Sequence, residues 1–245
     1  MKKVVASIEA RMTSTRLPGK VLLNCLNKSM LELMVERVRH ASTIDEIVIA
    51  TTTNQADDPI EALAKKLNVG IYRGSEMDVV QRVVDAHRQS GSDIVVQLTG
   101  DCPLIDPRII DALVRFYKMN QFDYVGNAVV RSFPIGMDTQ ISSREILEQS
   151  LTLAASSSDH EHLYATIYKR PDQFRLYHFV CSIEEMWPEL RLTLDTKEDF
   201  ELISHVFQAL YSKDSVFTLI DMIRYLKNNP DLVKINQFIP SKGLT

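Results

Sequence analysis

A chain of 245 residues, 45% hydrophobic and 24% charged, has the make-up of a soluble globular protein with room for one large or two modest domains. Its net charge of −4 argues against a nucleic-acid partner, which clustered basic residues would recognise. No apolar run reaches membrane-spanning length, the stretch from Met1-Lys2-Lys3 to Glu9 is too short for a signal-peptide core, and Cys25, Cys102 and Cys181 fit neither a disulfide framework nor a zinc spacing. A cytoplasmic protein without membrane insertion is therefore expected.

Residues 4–8 are an apolar run suited to a buried strand. They empty into a polar loop with Arg11, Ser14, Thr15, Arg16 and Lys20, punctuated by Pro18-Gly19. Ser29 can cap a helix carrying Leu31, Met34, Val35 and Val38. Residues 46–51 read as a second strand, running into Thr51-Thr52-Thr53. Asp57-Asp58-Pro59 opens a helix that Asn68 can end. Residues 69–72 read as a third strand. Ser75 and Asp78 look like the cap of a helix with Val79, Val80, Val83 and Val84, broken at Gly91-Ser92. Residues 94–98 are the clearest strand; they lead into Thr99-Gly100-Asp101-Cys102-Pro103, and Asp106-Pro107 opens another helix. Alternating strands and helices predict an α/β fold with a mostly parallel sheet, its post-strand loops gathered on one edge.

Beyond residue 123 the pattern loosens. Strands are expected at 123–125, 137–141, 175–181 and 191–195, with a turn at 132–136. Helices are expected at 143–155, after Asp159, at 197–211 and at 215–228. The reading is one continuous domain over residues 1–245 with a lobe inserted at about 125–185.

Loops at the carboxyl edge of such a sheet bind ligands, so the cations after the first strand suggest a polyphosphate site, with a solvated basic loop as the alternative. Gly19-Lys20-Val21 is not a P-loop, since the first glycine and the hydroxyl are missing, and no dinucleotide fingerprint follows the strand. Asp101 and Asp195, each at a strand end, are candidate Mg²⁺ ligands; a loop turn and a helix N-cap are the alternatives. In Asp159-His160-Glu161-His162 the two histidines point apart on a helix, a poor geometry for one ion. Arg131, Gly136, Asp138 and Gln140 could read a polar ligand.

The stretch Ala10 to Lys20 resembles the A-R-x-x-S-T-R-L-P-G-K signature of the sugar-activating cytidylyltransferases, a group that includes 3-deoxy-manno-octulosonate and acylneuraminate cytidylyltransferases. Ala50-Thr51-Thr52-Thr53-Asn54, the motif from Arg73 to Val79, Thr99 to Asp106, and Arg191 to Asp199 resemble the branch named for spore-coat polysaccharide biosynthesis. The resemblance implies a Rossmann-like nucleotidyltransferase with a small sugar-binding and dimerisation lobe. It implies a homodimer that transfers CMP from CTP to a sugar acid, with Mg²⁺ and release of pyrophosphate. It places Arg11, Arg16 and Lys20 on the triphosphate, Asp101 and Asp195 on the metal, and Arg73, Ser75 and Arg82 near the base. Ala10, Ser14, Thr99 and Gly100 fall in the same nucleotide site, and Glu161-His162 matches the branch's Glu-His pair. A glycosyltransferase using a nucleotide-sugar donor, which would be expected to show Asp-x-Asp, and a non-catalytic nucleotide-binding protein are the alternatives. Two departures stand out: Glu9 replaces the usual proline or glutamine, and Met137-Asp138-Thr139-Gln140 replaces Leu-Asp-Val-Glu.

Overall fold

The computed structural model describes residues 2–212 and 214–240, so Met1 of the opening lies outside them. Its strands are β1 (Val4–Glu9), β2 (Asn24–Cys25), β3 (Lys28–Ser29), β4 (Glu46–Thr52), β5 (Gly70–Gly74), β6 (Ile94–Thr99), β7 (Tyr124–Gly126), β8 (Gln140–Ser143) and β9 (Leu176–His178). Its α-helices are α1 (Met30–Val38), α2 (Asp58–Leu67), α3 (Val79–Ser90), α4 (Pro107–Met119), α5 (Arg144–Leu153), α6 (Ser157–Glu161), α7 (Ala165–Tyr168), α8 (Lys197–Leu210), α9 (Leu219–Asn228) and α10 (Pro230–Val233).

Seven strands form one sheet in the order β5-β4-β1-β6-β8-β7-β9, in which β8 alone runs against its neighbours. This is the mostly parallel, helix-flanked sheet that the alternation predicts. Along β1 the side chains alternate between faces: Val4, Ala6 and Ile8 pack in the core with α1, α4, α8 and α9, whereas Val5 joins Val80, Val83 and Val84 of α3. The first and fourth predicted strands are neighbours, with Glu9 registered against Thr99. Their loops therefore share one cleft. Gly100 permits the close approach there, because a Cβ would lie 2.7 Å from the Glu9 carbonyl oxygen.

Local chemistry fixes most element ends. The Ser29 side chain accepts from the Glu32 amide, and Asp106 from that of Arg108. Asn68 and Gly91 end their helices in the left-handed conformation. Several boundaries differ from the sequence reading. Asp78 alone caps α3, and Ser75 instead accepts from the Asp78 amide. The 137–141 strand begins only at Gln140, because the Asn127 amide side chain takes the Met137 carbonyl and the Thr139 N–H out of the ladder. Ser156, not Asp159, is the N-cap of α6; Asp159 is its reciprocal partner three residues on. The 175–181 strand stops at His178, and the Cys181 N–H goes to Ser132 Oγ. Residues 191–195 form no strand: Leu192 donates to Ile135 O but Leu194 to Asp101 O, so no single ladder builds. The small β2–β3 hairpin was missed, since Leu26 and Asn27, rather than Asn-Gly, carry its positive φ angles.

Candidate active site

The loop after β1 is folded back on itself. The Gly19 N–H donates to Met12 O at 2.9 Å with Gly19 at φ 70°, and the Met12 N–H donates to Asp57 Oδ1 at 2.7 Å. Leu17 is buried and anchors the middle of the loop. These ties aim Lys20 across the cleft. Its Nζ lies 2.8 Å from Asp195 Oδ1 and 3.2 Å from Asp101 Oδ2, and Arg16 Nη2 lies 2.8 Å from the same Asp195 oxygen. Burial opposes the Lys20 charge, but the two carboxylates outweigh it and raise its pKa. Burial likewise pushes Asp195 up, and Lys20, Arg16 and Arg191 outweigh it, holding the carboxyl below its ordinary range. Lys20 and Asp195 are thus both charged across the neutral range.

Sequence reasoning missed what holds Asp195. Buried Arg191 donates to Asp195 Oδ2 at 2.7 Å and forks onto Asp199 at 2.9 and 3.0 Å. Asp199 also accepts from the backbone N–H groups of Asp195 and Thr196, and Asn236 Nδ2 bridges it to Arg191 O. Asp199 as the reciprocal partner of the Thr196 cap was a readable signal; a buried arginine is not.

The other expected residues occupy the surroundings. Arg11 pairs with Glu76 at 3.1 Å, and Glu76 also accepts from Asn54 at 2.6 Å, joining the first loop to the ends of β4 and β5. Arg73 is fully engaged inside the protein, donating to Thr52 O, Asn54 O, Asp58 and Glu61; it ties the end of β5 to α2. Buried Arg82 donates to Ser75 O and so shapes the loop before α3. Thr99 Oγ1 contacts the Cys102 thiol at 3.2 Å. Burial, with Asp101 adding to it, pushes that thiol well up, so it supplies no nucleophile. Asp138 forms a two-pronged pair with Arg131 at 2.9 and 3.2 Å. Burial raises Asp138 despite Arg131, and the charge of Asp101 adds to the rise. Gly136, at φ 103°, lies against Leu192, where a Cβ would sit 2.7 Å from the backbone. His160 Nδ1 lies 2.8 Å from Asp78 Oδ2, bringing α6 over the start of α3; Glu161 is exposed and His162 is partly buried.

On the sheet face toward α3, side chains of four strands form a hydrogen-bonded chain. The Tyr124 hydroxyl donates to Gln140 Oε1 at 2.7 Å, Gln140 Nε2 to Gln97 Oε1 at 2.6 Å, and Gln97 Nε2 to Glu9 Oε2 at 2.9 Å. Glu9 and Gln140, one residue from each of the two departing stretches, are thereby linked. Burial pushes Glu9 up to about 7 against the Gln97 hydrogen bond and the Arg82 charge, with Asp101 adding to the rise. An acid whose pKa rises on folding binds a proton as the chain folds, so its stabilising contribution is present at low pH and lost between 4.5 and about 7. Glu9→Gln should therefore exceed wild type in stability at about pH 8, by at most ~3 kcal/mol, and match it near the low end of that window. Denaturant unfolding at the two pH values checks this.

Among the described residues, no cluster of three or more His, Cys, Asp and Glu side chains could hold a metal, and no helix is long and apolar enough to cross a membrane. Two carboxylates suit Mg²⁺, which takes one or two protein carboxylates and fills its shell with phosphate oxygens and water. Among the described residues Asp101 Oδ1 meets one hydrogen-bonding group, the Cys102 thiol at 3.6 Å, and is open to a cation; both Asp195 oxygens are held by cationic side chains.

The family profile described as cytidylyltransferase matches residues 5–229. The spore coat polysaccharide biosynthesis protein SpsF of Bacillus subtilis is 32% identical, covering 94% of this chain and 97% of its own. A 3-deoxy-manno-octulosonate cytidylyltransferase of Solibacter usitatus is 36% identical, covering 85% and 96%. A solved cytidylyltransferase of Leptospira borgpetersenii superposes with a TM-score of 0.91 at 33% identity, covering 99% and 100%. A CMP:2-keto-3-deoxy-manno-octonic acid synthetase complexed with CTP shares the fold, with a TM-score of 0.63 at 18% identity over 84% of this chain and 99% of that one. With its cations and carboxylates gathered where the β1 and β6 loops meet, the chain belongs to the cytidylyltransferase family of nucleotidyltransferases.

Proposed function

We propose that the protein transfers CMP from CTP to a sugar acid of the 3-deoxy-2-ulosonic or sialic-acid type, releasing pyrophosphate, in the synthesis of a surface polysaccharide or glycan. The observation that carries this reading is Lys20 Nζ lying between Asp101 and Asp195 with Arg16 on the same carboxylate. Transfer at the α-phosphorus asks the protein for alignment and charge neutralisation rather than a covalent intermediate. Lys20, Arg16 and Arg11 are the cations for the triphosphate, and each now leans on a carboxylate that its oxygens would replace. Asp101 and Asp195 would hold Mg²⁺, which when bound neutralises the leaving pyrophosphate. The loop carrying Ser75, braced by Arg82 of α3, borders the base, with Ala10, Ser14, Thr99 and Gly100 lining the nucleotide site between the loops. Arg131, Gly136, Asp138, Gln140, Glu161 and His162 belong to the lobe at about 125–185, where the sugar would sit. The exposed apolar side chains Val129, Val130, Val180, Ile183 and Met186 offer that lobe a surface for a homodimer. A cytoplasmic location goes with this reading.

The protein incubated with CTP, Mg²⁺ and a panel of 3-deoxy-2-ulosonic acids should release pyrophosphate. No release from any nucleotide with any sugar acid or sugar phosphate overturns the reading, and binding of CTP without release would favour a non-catalytic protein. Arg16→Ala should weaken CTP binding by roughly tenfold to a hundredfold, the worth of one charge-assisted contact. Calorimetric titration measures it, and an unchanged affinity removes Arg16 from the triphosphate.

A further inference from the structure

We propose that Glu9 is a specificity-determining residue of this reaction: its unpartnered Oε1 accepts a hydrogen bond from a hydroxyl or amino group of the acceptor sugar, and the Tyr124–Gln140–Gln97 chain sets that acceptor character. This rests on the transfer reading above and names the part of the sugar site that nothing there assigns.

The chain has a direction. Each link donates toward Glu9, ending with Gln97 Nε2 on Glu9 Oε2. Oε1 is shielded from solvent yet has no partner among the described residues. A shielded oxygen left like this is costly, so a ligand donor is what completes it. The phosphate cations do not crowd it, because Lys20 and Arg16 are gathered on Asp101 and Asp195. Arg82, whose charge acts on Glu9, donates through Nη1 to Ser75 O and keeps a buried Nε–H without a partner among the described residues. The chain instead runs toward β8 and β7 and ends on Tyr124, which packs on Tyr164 at 5.2 Å between ring centroids. Neutral amides and hydroxyls with a single carboxylate suit the O–H and N–H groups of a sugar rather than a phosphate.

Directionality makes the inference testable by a sign reversal. In Glu9→Gln the new amide must still accept from Gln97, so its carbonyl oxygen turns to Gln97 and its NH₂ takes the free position. The ligand then meets a donor where it needs an acceptor. Adding Gln140→Glu reverses the chain. A carboxylate at 140 cannot donate, so it accepts from both Tyr124 and Gln97. Gln97 Oε1 then accepts from the residue at position 9, whose carbonyl oxygen returns to the free position.

Pyrophosphate release is measured at about pH 8, where Glu9 is ionised, with CTP and Mg²⁺ saturating, against whichever of 3-deoxy-manno-octulosonate, N-acetylneuraminate and related 2-keto sugar acids wild type turns over best. Glu9→Gln should lower kcat/KM for the sugar by about tenfold to a hundredfold. The KM for CTP should stay within about twofold, and Glu9→Gln/Gln140→Glu should recover most of the loss. A single variant with unchanged sugar kcat/KM, a double variant no better than the single, or a change carried by KM for CTP instead overturns the inference while leaving the transfer reading standing. Wild type that binds CTP but turns over none of the acids overturns both.

Discussion

Asp101→Asn should cut turnover by about a thousandfold with the fold unchanged. The substitution is nearly isosteric, and the groups that build the loop do not depend on the charge. The Leu194 N–H donates to the backbone carbonyl of residue 101, and an asparagine oxygen still accepts from Lys20. What is lost is the one cluster oxygen not already held by a cation, Asp101 Oδ1. Loss of metal-linked charge neutralisation at the leaving group is worth several kcal/mol, and about 4 kcal/mol is a thousandfold in rate. CTP affinity without Mg²⁺ should not fall, because removing a carboxylate beside Lys20 leaves that cation freer for phosphate. The measurement is kcat against Mg²⁺ concentration beside calorimetric CTP binding without metal. A variant with wild-type kcat removes Asp101 from the chemistry.

The parts of the site that sequence could show are those whose chemistry is local. A basic loop after an apolar strand, a Gly-Asp turn after another, and hydroxyl or acidic caps ahead of helices are each complete within a few residues. The pairing of Glu9 with Thr99 then brought the loops together, as strand–helix alternation implies. What escaped was long-range or buried. Tyr124, Gln140, Gln97 and Glu9 are scattered along the chain, and only the order β1-β6-β8-β7 aligns them. Arg73 opens the Arg73–Val79 motif from the end of β5, yet its guanidinium is consumed by Asp58, Glu61 and two carbonyls, which no spacing announces. Residues 191–195 alternate like a strand, but Arg191 and Asp195 answer to Asp199 and Asn236 instead of a neighbouring ladder. Sequence periodicity records which side chains are apolar; it does not record which backbone groups a distant amide has claimed.

Arg191→Ala should be the most destabilising single change at the site, at about 3–5 kcal/mol. Its side chain is 4% exposed and that of Asp199 fully buried, so the substitution leaves a buried carboxylate facing a cavity. Asp199 keeps the Asp195 and Thr196 amides and Asn236, which satisfy its oxygens but do not neutralise its charge. For a chain of this size the loss corresponds to a melting temperature lower by roughly 10 °C. Arg191→Lys should fall between, since an ammonium keeps the charge but cannot fork onto Asp199 while reaching Asp195. Arg191→Met combined with Asp199→Leu should be less damaging than the sum of its parts, because a missing pair is cheaper than half of one. Thermal and denaturant unfolding of wild type, the single variants Arg191→Met and Asp199→Leu, and the double variant measures the coupling. Additive losses would mean that Arg191 and Asp199 contribute independently, so that no buried pair couples them.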